Sequence, residues 1–346
     1  MFFALTDDQR EFDAAVRGYL ADRFDLDAVR GVVEDTAGDG HPASLWKAAA
    51  EQGWLAVGVP EEYEGLGLGL VEVQVIARAL GAGVAPGPWR GTVLAAEAIR
   101  LAGSSEQQAA WLPRLAAGDA VGAVALRGSA PGRLPAVEYG AVADVVVAPG
   151  DADGRSARGG FVLLERAAIT AHPQGSYDAT TRLAELEVGD GETVPGGGAE
   201  IVAALTARAT VLVAADLVGI AREALTRTVA YDRERRQFGV PVGSFQAVKH
   251  ALADLHVGVT MAEHAVLYAS HAVDVDLPGA DLAVAVAKAK AGDTAVEATA
   301  AMIQYHGGIG YTWEHEAHLF YKRAKRLAGQ LGDSDAQRAR IAELTM

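Results

Sequence analysis

Apolar residues recur at helical spacing through both ends of the chain and break into short runs in its middle. Thr6 followed by Gln9 reads as a capping box opening a helix through about Leu20, with Phe12, Val16 and Leu20 on one face. Further helical runs are predicted over Ser44–Gln52, Val71–Leu80, Thr92–Leu101 and Ser105–Leu115. From Asp119 to Gly191 the apolar runs shorten to Val121–Leu126, Val142–Ala148, Gly160–Leu164 and Leu183–Val188, separated by Gly, Pro, Asp and Arg, the pattern of a small β domain. After the glycines of Val194–Gly198, four long helical runs follow, over Ala199–Tyr231, Ser244–Asp274, Ala280–Tyr305 and Thr312–Leu327. Short connections between them predict an antiparallel bundle. The fold class expected is mainly α with a small β domain, divided into an N-terminal helical domain over 1–118, a β-barrel-like domain over 119–195 and a four-helix bundle over 199–346.

Composition narrows the partners. The 346 residues hold 30 Lys+Arg against 45 Asp+Glu, a net charge of −15, with a pI near 5.0. A surface of that sign repels phosphate backbones and anionic lipid, so neither nucleic acid nor membrane is an expected partner. No cysteine is present, which removes disulfides and thiolate metal sites and makes the cytoplasm the default location. Charged residues follow Met1 too soon for a signal-peptide apolar region. The most membrane-like run, around Val211–Ala221, is interrupted by Asp216.

Two stretches carry candidate chemistry. Tyr231–His250 ends one long helix and starts another. Arg233, Arg235 and Arg236 suit the negative end of a helix dipole, Gly239 and Pro241 enforce the break, and Ser244 is placed to cap the next helix. Alone, this reads equally as a solvated helix hairpin. The second stretch, Gln304–Thr312, places a glutamine at a helix end and then Gly307, Gly308 and Gly310, where backbone can approach a ligand closely. No strand precedes it, so it is not the dinucleotide-binding fingerprint.

Taken together, Arg235-x-Gln-Phe-Gly239, Phe245-Gln246 and Gln304-x-x-Gly-Gly-x-Gly310 resemble the C-terminal signature of the acyl-CoA dehydrogenase family in order and spacing. Gly53-Trp54 and the loop Val59–Gly67 resemble its N-terminal domain, with Glu64 where the first glycine of a pair is usual. The resemblance implies FAD as cofactor and α,β-dehydrogenation of an acyl-CoA thioester, with the flavin lying between subunits. It implies that Arg235 pairs with the pyrophosphate, that Phe238 packs on the adenosine half, that Gln246 and Gln304 hydrogen-bond it, and that the Gly307 and Gly308 backbone approaches it.

The sequence departs from the family where the flavin ring and the catalytic base are expected. Val124–Pro131 lacks the Thr-Glu of the usual Thr-Glu-Pro-x-x-Gly-Ser-Asp segment, and Glu138–Val142 replaces a Trp and Ser/Thr stretch. The base usually stands 24 residues beyond the first glycine of the pair, which is Leu331 here, or on the preceding long helix, near Ala209 here. Neither is a carboxylate, so the catalytic residues stay unassigned. Glu200 and Asp216 are the acidic residues of that helix nearest to the position. Asp216 reads as a polar intrusion bonded within the bundle, and Asp333 as a solvated loop carboxylate. Glu314 and His318, four apart, do not complete a metal site. The last helix should turn Leu319 and Phe320 inward and Lys322, Arg323, Lys325 and Arg326 outward.

The reading expected from these losses is a subunit that shares an FAD site with a second acyl-CoA dehydrogenase chain in a hetero-oligomer acting on an acyl-CoA. The alternatives are a homo-oligomeric flavoenzyme of the same fold with a base relocated to Glu200 or Asp216 or with different flavin chemistry, and a non-enzymatic scaffold of the same fold.

Overall fold

In the computed structural model, residues 4–126, 132–150 and 160–346 are described. The chain divides into two compact units: Met1–Val29 with Gln74–Ala85 and Thr210–Met346, and Arg30–Val73 with Pro86–Ala209.

The second unit is built on helices α3 (Ala43–Glu51), α5 (Trp89–Ala102) and α6 (Ser105–Ala116), with two small sheets. Strands β1 (Gly122–Val124), β3 (Val145–Pro149), β4 (Phe161–Glu165) and β7 (Glu192–Thr193) form one sheet in the order β1-β3-β4-β7, with β1 and β3 parallel. Strands β2 (Arg133–Glu138), β6 (Leu183–Val188) and β5 (Ile169–Gln174) form the other, in the order β2-β6-β5, fully antiparallel. Val146, Ala148, Val162 and Leu164 share one apolar core with Leu134, Val137, Ala184 and Leu186. Strand β3 is buried from Val145 to Ala148, so both its faces are covered, which explains why it reads as a continuous apolar run. Thr92 on α5 fixes this sheet: its Oγ1 donates to the carbonyls of Pro88 and Gly122 and accepts from the Gly122 N–H at 3.1 Å.

The first unit is helical. It contains α1 (Asp7–Arg23), most of α4 (Leu70–Ala82), the body of α7 (Ala199–Glu234), and α8 (Gln246–Asp274), α9 (Ala280–His306), α10 (Ala317–Gly329) and α11 (Ser334–Thr345); α2 (Leu26–Glu34) leads out of it. The Thr6–Gln9 capping box forms, with both reciprocal bonds made. Helix α9 packs against α8, α10 and α11.

Helix α7 spans 36 residues and is long and apolar enough to cross a membrane, yet most of its apolar stretch is buried inside the protein. Asp216 and Arg323 explain its polar interruption. Arg323 Nε and Nη2 reach the Asp216 oxygens at 3.1 and 2.7 Å, and Nη1 donates to the Ala85 carbonyl at 2.9 Å. Arg323 is thus buried, not outward as its place among basic residues suggested. A guanidinium that meets both oxygens of one carboxylate is the group that best matches it when buried.

Candidate functional site

The end of the helical unit gathers both candidate stretches. Helix α7 stops at Glu234, one residue short of Arg235. The chain then makes a small hairpin, β8 (Arg236–Gln237) against β9 (Val240–Pro241), with Phe238 and Gly239 both at positive φ, 53° and 82°. Two positive-φ residues between short strands are what a tight hairpin turn with the right twist requires. Glycine adopts this freely, but Phe238 does so at a cost. The residue is also 92% exposed, with the Phe245 ring edge-on to its own at 6.3 Å. A strained and solvated aromatic gains nothing for the isolated fold.

Ser244 does not cap the next helix. Its hydroxyl donates to the Pro241 carbonyl at 2.6 Å, and α8 begins at Gln246 behind Phe245 with no side-chain cap. Its first backbone N–H groups thus carry the positive end of the dipole without a capping side chain. Arg235, Gln246 and Gln304 are exposed, as are Gly307 and Gly308. Gly307 takes φ 65°, ψ −143°, a region open almost only to glycine. At both Gly307 and Gly308 a Cβ would meet no atom within 4 Å, so these backbones face open space.

Beneath the exposed residues lies a partly buried layer that the sequence did not announce. The Tyr231 ring stacks on His306 at 4.3 Å, and His306 meets His315 at 4.4 Å. Arg227 binds Glu223 and Glu316 at 2.8 and 2.9 Å. Burial lowers the His306 pKa, helped by His315 and Arg227 and opposed by the Met302 carbonyl and Glu316. Burial alone would raise the Glu316 carboxyl, but its backbone hydrogen bond, His315 and Arg227 outweigh this and hold it below the usual range. Asp232, beside Tyr231, is 1% exposed with neither carboxylate oxygen hydrogen-bonded, and burial pushes its pKa up to about 6.

The positions where a base was sought are occupied otherwise. Leu331 sits in a turn at φ 57°, and Ala209 is buried on α7. Asp216 is fully engaged by Arg323 and is not free to act as a relocated base. Asp333 is not merely solvated: it caps α11, accepting from Ala336 N–H at 2.9 Å. Glu200 is exposed in the first turn of α7.

In the β region, the residues that replace the family pattern are tied into packing. The Tyr139 hydroxyl donates to the Thr180 carbonyl at 3.0 Å and accepts from the Gly87 N–H at 2.7 Å, while Glu138 pairs with Arg90 at 2.6 Å. Of the Val124–Pro131 segment, Arg127–Pro131 lie outside the described residues. In the N-terminal loop, Glu64 stands at φ 65°, the left-handed conformation that glycine favours.

A model of the acyl-CoA dehydrogenase N-terminal domain matches residues 6–119, and one of the acyl-CoA dehydrogenase C-terminal domain matches residues 196–346. The chain is 37% identical over 287 residues to acyl-CoA dehydrogenase IpdE2 of Mycobacterium tuberculosis, spanning 82% of this chain and 81% of that protein. To IpdE2 of Mycolicibacterium smegmatis it is 35% identical over 316 residues, 91% of each. It is also similar to a chain in the solved ChsE4–ChsE5 complex from Mycobacterium tuberculosis, with a TM-score of 0.91 and 26% identity over 99% of this chain and 98% of that one. This chain belongs to the acyl-CoA dehydrogenase family, oxidoreductases that act on CH–CH groups.

Proposed function

We propose that this chain is a subunit of an FAD-dependent acyl-CoA dehydrogenase and that it completes the flavin site of a partner chain of the same family rather than running the reaction alone. The observation that carries the reading is an asymmetry. The end of the helical unit keeps an exposed, locally costly set of cofactor-type residues, whereas the base positions hold Leu331 and Ala209, and Asp216 is locked to Arg323.

FAD, when bound, accepts hydride from the β carbon of an acyl-CoA thioester whose α proton is removed by a carboxylate. Arg235 would neutralise the pyrophosphate, for which a planar multi-donor cation suits. The exposed Phe238 ring would cover the adenosine face, removing the apolar surface that the isolated chain leaves in water. Gln246 and Gln304 would hydrogen-bond the same half, and Gly307 and Gly308 would let backbone approach without a side chain in the way. The residues present fit a dinucleotide's ADP half.

Similarity to the two-chain ChsE4–ChsE5 complex, and to a solved protein described as the Tcur3481–Tcur3483 steroid ACAD at TM-score 0.87 and 26% identity, supports a hetero-oligomer acting on bulky, sterol-derived acyl-CoA. FAD content per chain together with native mass tests this. Little flavin is expected on the chain alone, rising to one FAD per two chains on assembly with the partner. Full flavin and turnover in a homo-oligomer of this chain would overturn the reading, and unchanged flavin content in Arg235→Ala would remove Arg235 from the site.

A further inference from the structure

Tyr231 and His306 each stand at the root of one half of the candidate site. The Tyr231 carbonyl accepts the Arg235 N–H at 2.8 Å, and His306 immediately precedes Gly307. Their rings stack with an interplanar angle of 26°, and the Tyr231 hydroxyl reaches the His306 carbonyl at 3.4 Å. On its other neighbour, His306 meets the His315 ring at 54°.

The proton positions follow from the partners. His306 Nδ1 lies 2.7 Å from the Met302 carbonyl oxygen, which only accepts, so Nδ1 carries a proton. His315 Nδ1 accepts from the Ala317 N–H at 3.1 Å, so its proton is on Nε2. Burial favours the neutral form of His306, with its proton on Nδ1. The charged groups around the two rings are Arg227 and Glu316, which pair with each other, with Glu223 on the far side of Arg227, and Asp232 follows Tyr231 on α7.

We propose that the Tyr231–His306–His315 stack is a positioning element that fixes the Arg235 turn relative to the Gly307–Gly308 turn, so that both address one dinucleotide. The proposal rests on the flavin-sharing reading above. Arg235 and Gly307 are far apart in sequence and sit on exposed turns, where small rotations of the α7 and α9 ends would separate them. Two flat rings in contact resist such rotation, and a bound dinucleotide gains affinity when its contacts are preset. His306 is buried against Tyr231 and His315, so a proton gained there below about pH 6.5, the ordinary histidine range, has poor solvation and faces the Arg227 charge.

The test is FAD titration, by flavin fluorescence, into the apo form of whichever assembly loads FAD. His306→Ala and Tyr231→Leu are each expected to weaken FAD binding by about tenfold or more, with the double variant no weaker than either single one, because both remove the same stack. His306→Phe, which keeps a stacking ring but cannot be protonated, should hold affinity within about threefold of the parent and abolish the loss of affinity expected of the parent as pH falls from about 7.5 to 5.5. Arg235→Ala separates this idea from the reading beneath it. If Arg235→Ala weakens FAD binding while His306→Ala and Tyr231→Leu do not, the stack proposal is overturned and the shared site stands. If none of the three matters, both fail. Additive losses in the double variant, or a pH dependence unchanged in a folded His306→Phe that also carries Asp232→Asn, would likewise overturn the positioning role.

Discussion

Asp232 is placed unfavourably for a carboxyl, 1% exposed at the end of α7. A carboxyl with both oxygens buried and unpartnered prefers to stay protonated, and its pKa rises from 3.8 to about 6. The folded chain then holds a proton through a window where the unfolded chain has released it. Stability from this group is present below about pH 4 and is lost as pH rises through about 6. Asp232→Asn should therefore melt higher than the parent at pH 7.5, by about 2–4 °C, with the advantage gone near pH 4. Equal shifts at both pH values in calorimetry would contradict the assignment. Asp216 and Arg323 make the opposite case, a buried pair with its bonds satisfied. Asp216→Ala strands a buried guanidinium and should cost about 3–5 kcal/mol in denaturant unfolding, whereas replacing both partners with Leu and Met should cost far less. That paired variant should also leave turnover of the flavin-loaded assembly near the parent's. A drop of a hundredfold or more in a folded assembly would restore Asp216 as a base.

Among the elements, two contacts set the helical unit, and periodicity reveals neither. Helices α4 and α7 cross with backbone almost touching: a Cβ on Gly219 would lie 1.9 Å from the Arg78 carbonyl oxygen, and one on Gly81 2.2 Å from that of Asp216. Gly219→Ala would have to push the helices apart, so a loss of about 1–3 kcal/mol or more is expected, and unchanged stability would mean the crossing is looser than this. The second contact is Lys288 on α9, buried, with Nζ donating to the carbonyls of Ala328 and Gly332 at 2.9 and 3.0 Å. It closes the C-terminal end of α10. Burial lowers its pKa from 10.5 to about 8, against the pull of Asp333 and Asp293. Between those values the unfolded chain holds a proton that the folded chain has lost, so stability should rise with pH from about 8 to 10.5. Lys288→Met should lose about 1–3 kcal/mol for the uncapped carbonyls and flatten that rise. Helices with an apolar stripe were legible in the sequence, as were strands buried on both faces. Strands β2 and β5 were not, because Pro135 and a register shift interrupt one and the other is largely exposed, with Pro173 in it. Helix α11 has no buried residue, so it leaves no stripe to read. Helix α10 starts at Ala317 rather than Thr312, because the His315 side chain bonds the Ala317 N–H and ends the preceding turn.

For the molecule as a whole, the candidate site was half legible, and the reason is chemical. Arg235, Phe238, Gln246, Gln304, Gly307 and Gly308 lie within three short motifs, where spacing carries the information, and all are exposed at one end of the helical unit. The stack beneath them was not legible, because Tyr231, His306 and His315 meet only through the fold. The positions at which the sequence departs from the resembled pattern are likewise spread along the chain. The turn where a base would stand survives without its carboxylate: Leu331 keeps φ 57°, the Gln337 side chain donates to its carbonyl at 2.8 Å, and Lys288 holds Gly332. Leu331→Glu should therefore fold. If a missing carboxylate were the sole defect, that substitution would give this chain turnover by itself. But Tyr139 and Glu138, where the family carries a different segment, are committed to Thr180, Gly87 and Arg90. Reversing one loss leaves the others, so Leu331→Glu expressed alone is expected to stay inactive toward acyl-CoA thioesters and to bind no more flavin than the parent. Flavin-dependent turnover by that single variant, measured with an artificial electron acceptor, would instead show a site intact but for its base, and this chain would be a self-sufficient dehydrogenase one residue from activity.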